Sequence, residues 1–353
     1  MVFLREYLYN LVSAKTRGPL SSILRAFLFL LSLVYGLIVI ILAGFYRKRP
    51  VRFAAKVISV GNITLGGTGK TAFVEYLAGK LNLQKKKIAI LSRGYKRNLK
   101  RKGAQAMGDE PAMLEKKLPF ARVIVDKNRV NSAFKAINDY ALDTLILDDG
   151  LQQWRIFKDL EIVTIDISDP FGNYRMLPAG FLREPIGALK RADVFVLTQC
   201  GFGRDISDLI ARLKRINSRA LIVESTHQPV GFSRIDNPDE LLSLDTFKGA
   251  NAVIFSGIGN PGGFENSVHA LGINIARSIR FGDHHDYTHN EIYDIISQAQ
   301  QNKQELIITT AKDAVKIREL EIKCAFILVL NIKLKIIKNE AEFDRRLFKL
   351  YSF

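Results

Sequence analysis

The stretch Val57-Ile-Ser-Val-Gly-Asn-Ile-Thr-Leu-Gly-Gly-Thr-Gly-Lys-Thr71 decides the fold. Val57–Val60 can sit in a buried strand, a glycine-rich turn follows, and Ala72 to Leu83 is a helix-forming run. Strand, glycine turn and helix in that order make a phosphate-binding loop. Gly66, Gly67 and Gly69 let backbone N–H groups, with that of Thr68, curl around phosphate oxygens. The positive end of the following helix adds to the attraction. Lys70 is placed to reach the outer phosphates, and Thr71 offers a hydroxyl to Mg²⁺. The strict G-x-x-x-x-G-K-[ST] pattern fails at its first glycine, where Thr64 stands, so Gly66 and Gly67 must supply the turn.

Working outward, short apolar runs alternate with helical stretches, the pattern of an α/β fold with a mostly parallel sheet. Val57–Val60, Ile88–Leu91, Val123–Val125, Leu145–Leu147, Ile162–Ile165 and Val194–Leu197 read as buried parallel strands. The run Thr144-Leu-Ile-Leu-Asp-Asp-Gly150 ends one of them in two carboxylates. Open α/β sheets bind ligands at that edge, so Asp148 and Asp149 are candidate metal-side ligands beside the phosphate loop. The polar stretch from Thr226 to Ser243, with Pro229 and Pro238, reads as a linker at 226–245. It separates a P-loop core at 51–225 from a second, smaller α/β lobe at 246–353. Ala252–Phe255, Glu305–Thr309 and Ala325–Leu330 are that lobe's strands, and a helix is predicted near Asn290–Gln301.

Residues 1–50 form a separate segment. Ala26 to Tyr46 contains no charged residue, and about 20 apolar residues are enough to span a hydrocarbon core. Arg25 closes one end, Arg47, Lys48 and Arg49 the other, and Pro50 stops the helix. No cleavage site of a signal peptide stands out, and a soluble core helix would show a polar face. Both flanks are basic, so a span and a helix entering one leaflet both fit. The segment is expected to anchor the protein without contributing chemistry.

The chain carries 52 Lys plus Arg against 35 Asp plus Glu, a net charge of +17. Such a balance calls for an anionic partner. Residues 85–102 contain nine basic side chains and no acid, which suits a solvated loop or a patch for lipid headgroups and substrate phosphate. No zinc finger or RNA-recognition signature accompanies it, so nucleic acid is not the expected partner. Cys200 and Cys324 have no metal spacing and read as apolar residues.

The ordered motifs resemble the tetraacyldisaccharide 4'-kinases. Gly61-Asn-Ile-Thr-Leu-Gly-Gly-Thr-Gly-Lys-Thr71 resembles that family's variant phosphate loop. Ser92-Arg-Gly-Tyr95, Gly108-Asp-Glu-Pro111, Asp148-Asp-Gly-Leu-Gln152, Phe171-Gly-Asn173, Leu177-Pro-Ala-Gly180, Leu182-Arg-Glu-Pro185, Asp283-His284 and Lys312-Asp-Ala-Val-Lys316 follow in its order. Gln153 stands where the family commonly has His, and Lys96 where it commonly has Gly.

The resemblance implies an ATP- and Mg²⁺-dependent enzyme on the cytoplasmic face of a bacterial inner membrane. It would phosphorylate the 4'-hydroxyl of a glycolipid, tetraacyldisaccharide 1-phosphate, to give lipid IVA. It places Asp109 and His284 at the acceptor hydroxyl, with Asp109 in the P-loop lobe and His284 in the second, so that the lobes must approach for chemistry. His285 competes with His284, and motif position alone favours His284. Arg183 would steady phosphate oxygens, and Glu184 joins Thr71, Asp148 and Asp149 as a metal candidate. The rival reading is a membrane-associated P-loop NTPase of regulatory or insertion type, with no lipid acceptor.

Overall fold

The structure, a computed structural model, describes residues 11–12, 16, 18–94, 109–201, 204–283, 285–322 and 327–352. Helix α1, Pro19–Arg47, has 29 residues, about 43 Å of helix. Pro19 starts it at a position where the missing N–H is no loss. It is long and apolar enough to cross a membrane. Small residues dominate its buried positions: Ser21, Ser32, Gly36, Val39 and Ala43. The last four recur at helical spacing and so share a face. The remaining surface exposes Leu20, Phe27, Leu33, Leu37, Ile41 and Phe45, among others.

Tertiary contacts divide the chain into two units. The first holds, among the described residues, 11–94, 114–226 and 336–352. Its strands β1 (Lys56–Gly61), β2 (Ile88–Ser92), β3 (Arg122–Val125), β4 (Thr144–Asp148), β5 (Leu160–Asp166), β6 (Val194–Thr198) and the start of β7 (Leu221–Arg234) lie in the order β3-β2-β4-β1-β5-β6-β7. Every pair with a determined register is parallel. The strands between the edges are buried on both faces, which their unbroken apolar runs require. Consecutive strands diverge on either side of β1, whose neighbours are β4 and β5. That is the topological switch point where an open α/β sheet makes its binding crevice. Helix α2, Lys70–Leu83, leaves β1 through the phosphate loop at that point.

The second unit, among the described residues, holds 109–113 and 227–335. Its strands β8 (Asn251–Ser256), β9 (Asn274–Arg280), β10 (Leu306–Thr310) and β11 (Ile327–Lys338) run in the order β11-β10-β8-β9, with parallel pairing. The predicted helix at 290–301 is present as His289–Gln301, started by a Thr288–Glu291 capping box.

Three boundaries differ from the sequence reading. The expected linker at 226–245 begins as strand: β7 continues through Pro229 to Arg234. Residues 336–352 group with the P-loop unit, not the second lobe. There the C-terminal helix, Glu340–Lys349, packs Phe343 against Phe73 of α2, and Lys80 of α2 meets Asp344 at 2.6 Å and Glu340 at 2.8 Å. Asp109, at the start of helix α3 (Asp109–Lys117), groups with the second unit rather than with the P-loop unit.

Candidate active site

Beyond β1 the chain is stitched to a distant segment. The Leu65 N–H donates to the Phe181 carbonyl at 2.7 Å, and the Arg183 N–H to the Ile63 carbonyl at 2.8 Å. This pairing sets Arg183 beside the phosphate loop. From below, β5 and β6 hold the loop: the Thr68 hydroxyl pairs with that of Thr164 at 2.8 Å, and Thr198 donates to the Thr68 carbonyl at 3.2 Å. Gly69 caps α2 with φ +79, and a Cβ there would press to 3.2 Å from the Thr198 methyl. Glycine is therefore required for both conformation and space. Gly66 and Gly67 stand exposed with open space around them. Thr71 is buried in the first turn of α2.

At the end of β4 the two aspartates diverge. Asp148 is buried and accepts a hydrogen bond from the Ser92 hydroxyl at 3.2 Å. Asp149 takes the left-handed conformation, φ +57, which turns its carboxylate elsewhere. It receives both guanidinium arms of Arg183, at 2.6 and 2.8 Å, and lies 3.7 Å from Lys70 Nζ. Asn62 Oδ1 accepts from the same two cations, from Lys70 at 3.0 Å and Arg183 at 3.2 Å. Burial alone would raise the Asp149 pKa. The Arg183 hydrogen bonds and the Lys70 charge outweigh it and hold the carboxyl below the usual aspartate value. Two cations thus converge where the α2 N-terminus points.

Glu184 pairs with a different set of side chains. Its carboxylate accepts both arms of Arg191, at 2.8 and 2.9 Å, and also Gln152 at 3.2 Å and Trp154 at 3.3 Å, with a side chain only 2% exposed. Its oxygens are engaged by protein donors here, and the metal role expected for Glu184 would require some of these partners to yield. Arg191 also approaches Glu161, which pairs with Lys158 at 2.7 Å and accepts from Ser59 of β1 at 2.9 Å. Sequence reasoning missed Asn62, Arg191 and Arg129. Arg129 is a buried cation at the first turn of helix α4, Arg129–Tyr140; burial lowers its pKa and the charges of Asp148 and Asp149 oppose that. The Gly61-Asn62 dipeptide ahead of the loop was the one local signal for the first. The other two lie in stretches with no motif spacing.

In the second unit, Glu110, Met113, Gly257, Asp283, Lys312 and Lys316 help to line a small, partly open cavity. His284 lies outside the described residues, as do the side chain of Asp109 and residues 95–102 of the basic run. Their chain neighbours Glu110 and Asp283 face the same cavity. His285 is committed elsewhere: its ring stacks on Phe281 at 4.6 Å, and Nε2 meets Glu291 of the capping box at 3.0 Å. Asp313 accepts from the Gly257 N–H, Tyr287 and Thr310 at 3.0, 2.9 and 2.6 Å, and burial raises its pKa despite those bonds.

A model of the family described as Tetraacyldisaccharide-1-P 4'-kinase matches residues 24–352. The tetraacyldisaccharide 4'-kinase of Halothermothrix orenii is 35% identical over 347 residues, covering 91% of this chain and 90% of that protein. That of Elusimicrobium minutum is 35% identical over 353 residues, covering 94% and 93%. The crystal structure of LpxK from Aquifex aeolicus in complex with ATP aligns with a TM-score of 0.71 at 29% identity, covering 93% of this chain and all of that one. Phosphate loop, acidic strand end, fold and full-length likeness agree, and the chain belongs to the tetraacyldisaccharide-1-phosphate 4'-kinase family.

Proposed function

We propose that this protein transfers the γ-phosphate of ATP to the 4'-hydroxyl of tetraacyldisaccharide 1-phosphate, giving lipid IVA. The observation that carries the reading is the convergence of Lys70 and Arg183 on Asp149 and Asn62 at the N-terminus of α2. Phosphoryl transfer asks a protein mainly for positioning and charge neutralisation. The Asp149 side chain is one-third exposed, which leaves room for phosphate oxygens to replace its carboxylate on the two cations. Loop N–H groups from Gly66 to Thr71 cradle the phosphates, and α2 adds its dipole.

The donors nearby fit Mg²⁺, since Thr71, Asp148 and Asp149 offer only hard oxygens and a Mg²⁺ bound with nucleotide needs few protein ligands. Bound there, Mg²⁺ would neutralise charge on the transferring phosphate. Asp109 and His284 act on the acceptor hydroxyl, the carboxylate orienting the imidazole that takes the proton. Support comes from their neighbours Glu110 and Asp283 lining one cavity, and from His285 being tied to Glu291 and Phe281. Helix α1, with its basic ends, holds the enzyme on an anionic membrane surface, at the cytoplasmic face of the inner membrane where ATP is available.

The test is transfer of labelled γ-phosphate from ATP to tetraacyldisaccharide 1-phosphate in mixed micelles by the purified full chain. Label in the lipid product, at the 4' position, is the expected result. ATP hydrolysis with no labelled lipid would contradict the reading. In the same assay His284→Ala lowers turnover by about 10²-fold or more, and His285→Ala much less. The Asp109→Ala, His284→Ala double variant loses little beyond the worse single one, because residues acting as a unit are not additive. A larger loss in His285→Ala than in His284→Ala would move the base one position along the chain.

A further inference from the structure

Arg183 is held at three points. Its side chain meets Asp149 and Asn62, and its N–H is bound by Ile63 at the phosphate loop. Its carbonyl accepts a hydrogen bond from the Tyr35 hydroxyl, at 3.1 Å, in the middle of the apolar helix α1. The contact is not isolated. Gly36 approaches the segment just before Arg183 so closely that a Cβ there would lie 3.1 Å from Met176 Sδ. One turn and more towards the N-terminus, Arg175 stacks over the Phe29 ring at 5.4 Å. The segment itself is a tight loop closed by Leu177 N–H to the Leu182 carbonyl and Leu182 N–H to the Arg175 carbonyl, both at 3.0 Å. Helix α1 therefore seats on a rigid loop whose end is the phosphate-facing arginine.

We propose that Tyr35 is a positioning residue for phosphoryl transfer, coupling α1 to Arg183. The inference rests on the kinase reading of the phosphate site and extends the role of α1 beyond anchoring. A carbonyl whose donor is removed lets its peptide rotate, and rotation there swings the guanidinium away from its phosphate position. Misplacement of this kind lowers turnover without weakening substrate capture. Enzyme seated in lipid, with α1 held against the loop, is thereby the form with Arg183 in place.

The test uses the full chain with Tyr35→Phe, which removes one oxygen and keeps the ring. Turnover on tetraacyldisaccharide 1-phosphate should fall about tenfold, from loss of one hydrogen bond and the alignment it enforces. KM for the lipid and flotation with anionic vesicles should not change. In an Arg183→Lys background, Tyr35→Phe should cost nothing further. Amide exchange in a peptide spanning residues 181–184 should quicken in Tyr35→Phe, a readout that needs no acceptor. Wild-type turnover in Tyr35→Phe, a loss carried by KM or flotation alone, or losses that multiply with Arg183→Lys would each overturn the coupling. So would unchanged exchange at 181–184, even if the lipid proved to be the wrong acceptor. Absence of transfer by the wild-type protein, with exchange altered as expected, would instead overturn the kinase reading and leave the coupling standing.

Discussion

Two charged clusters sit side by side in the P-loop unit, joined through the peptide bond between Arg183 and Glu184. In one, Lys70 and Arg183 share Asp149 with side chains 17%, 19% and 33% exposed. In the other, Lys158, Glu161, Arg191 and Glu184 are 8%, 8%, 12% and 2% exposed. The difference is one of duty. Ions in contact with water can trade partners at small cost, which a site receiving phosphate requires. Ions out of water lose several kcal/mol when a partner leaves, so they hold whatever backbone carries them. On the proposed reading, Glu184 fixes the backbone that carries Arg183.

The largest effect expected from disturbing the open cluster belongs to Lys70→Ala. It removes a cation that meets charge developing in the transition state, so turnover should drop by about 10²–10³-fold with the thermal midpoint nearly unchanged. A folded Lys70→Ala protein with wild-type turnover would dissolve the distinction. Breaking the closed cluster has the opposite signature. Arg191→Leu leaves the Glu184 carboxylate without a paired cation, held only by Gln152 and Trp154, and should cost about 3–5 kcal/mol in denaturant unfolding. A change under 1 kcal/mol would show that the pair is not buried in solution.

Smaller effects sharpen the picture. Lys80→Met removes the ion pairs between α2 and the C-terminal helix, where the carboxylates are partly exposed. Its cost should be about 1 kcal/mol, with turnover retained. Smallest is the pH response of Asp149. Its folded pKa lies below the usual 3.8. A depressed carboxylate contributes stability above its unfolded pKa and loses it as pH falls through the folded one. The stability difference between wild type and Asp149→Asn should therefore be flat from neutral pH to about 4 and close only below that. A difference that stays constant well below pH 4 would mean that Asp149 does not feel Lys70 and Arg183.

The phosphate loop and the strand ends were legible because their information is local: glycine, lysine and apolar runs act within a few residues of one another. The parallel strands from Val57 to Leu197 appear within two residues of expectation. Strand β9 was missed, since Asn274–Arg280 mixes charges into an exposed edge with no apolar run. Pro229 disguised β7 as a linker, and nothing near Phe343 announces that its partner is Phe73. The motif around Glu184 suggests a metal ligand and says nothing of its protein partners. Only the fold reveals Arg191 waiting for it, because seven residues of separation bring the two together through a turn that no periodicity predicts.

The separation of chemistry from support is tested most directly by one paired measurement: turnover on the lipid acceptor and unfolding free energy for Asp149→Asn and Glu184→Gln. Asp149→Asn should lose about 10²-fold in turnover and within about 1 kcal/mol of stability. Glu184→Gln should lose about 3 kcal/mol or more of stability. Its turnover should recover most of the wild-type value when assayed at low temperature, where the fold is intact. The reverse pattern, a stable Glu184→Gln without activity beside a fully active Asp149→Asn, would return Glu184 to the chemistry and contradict the account.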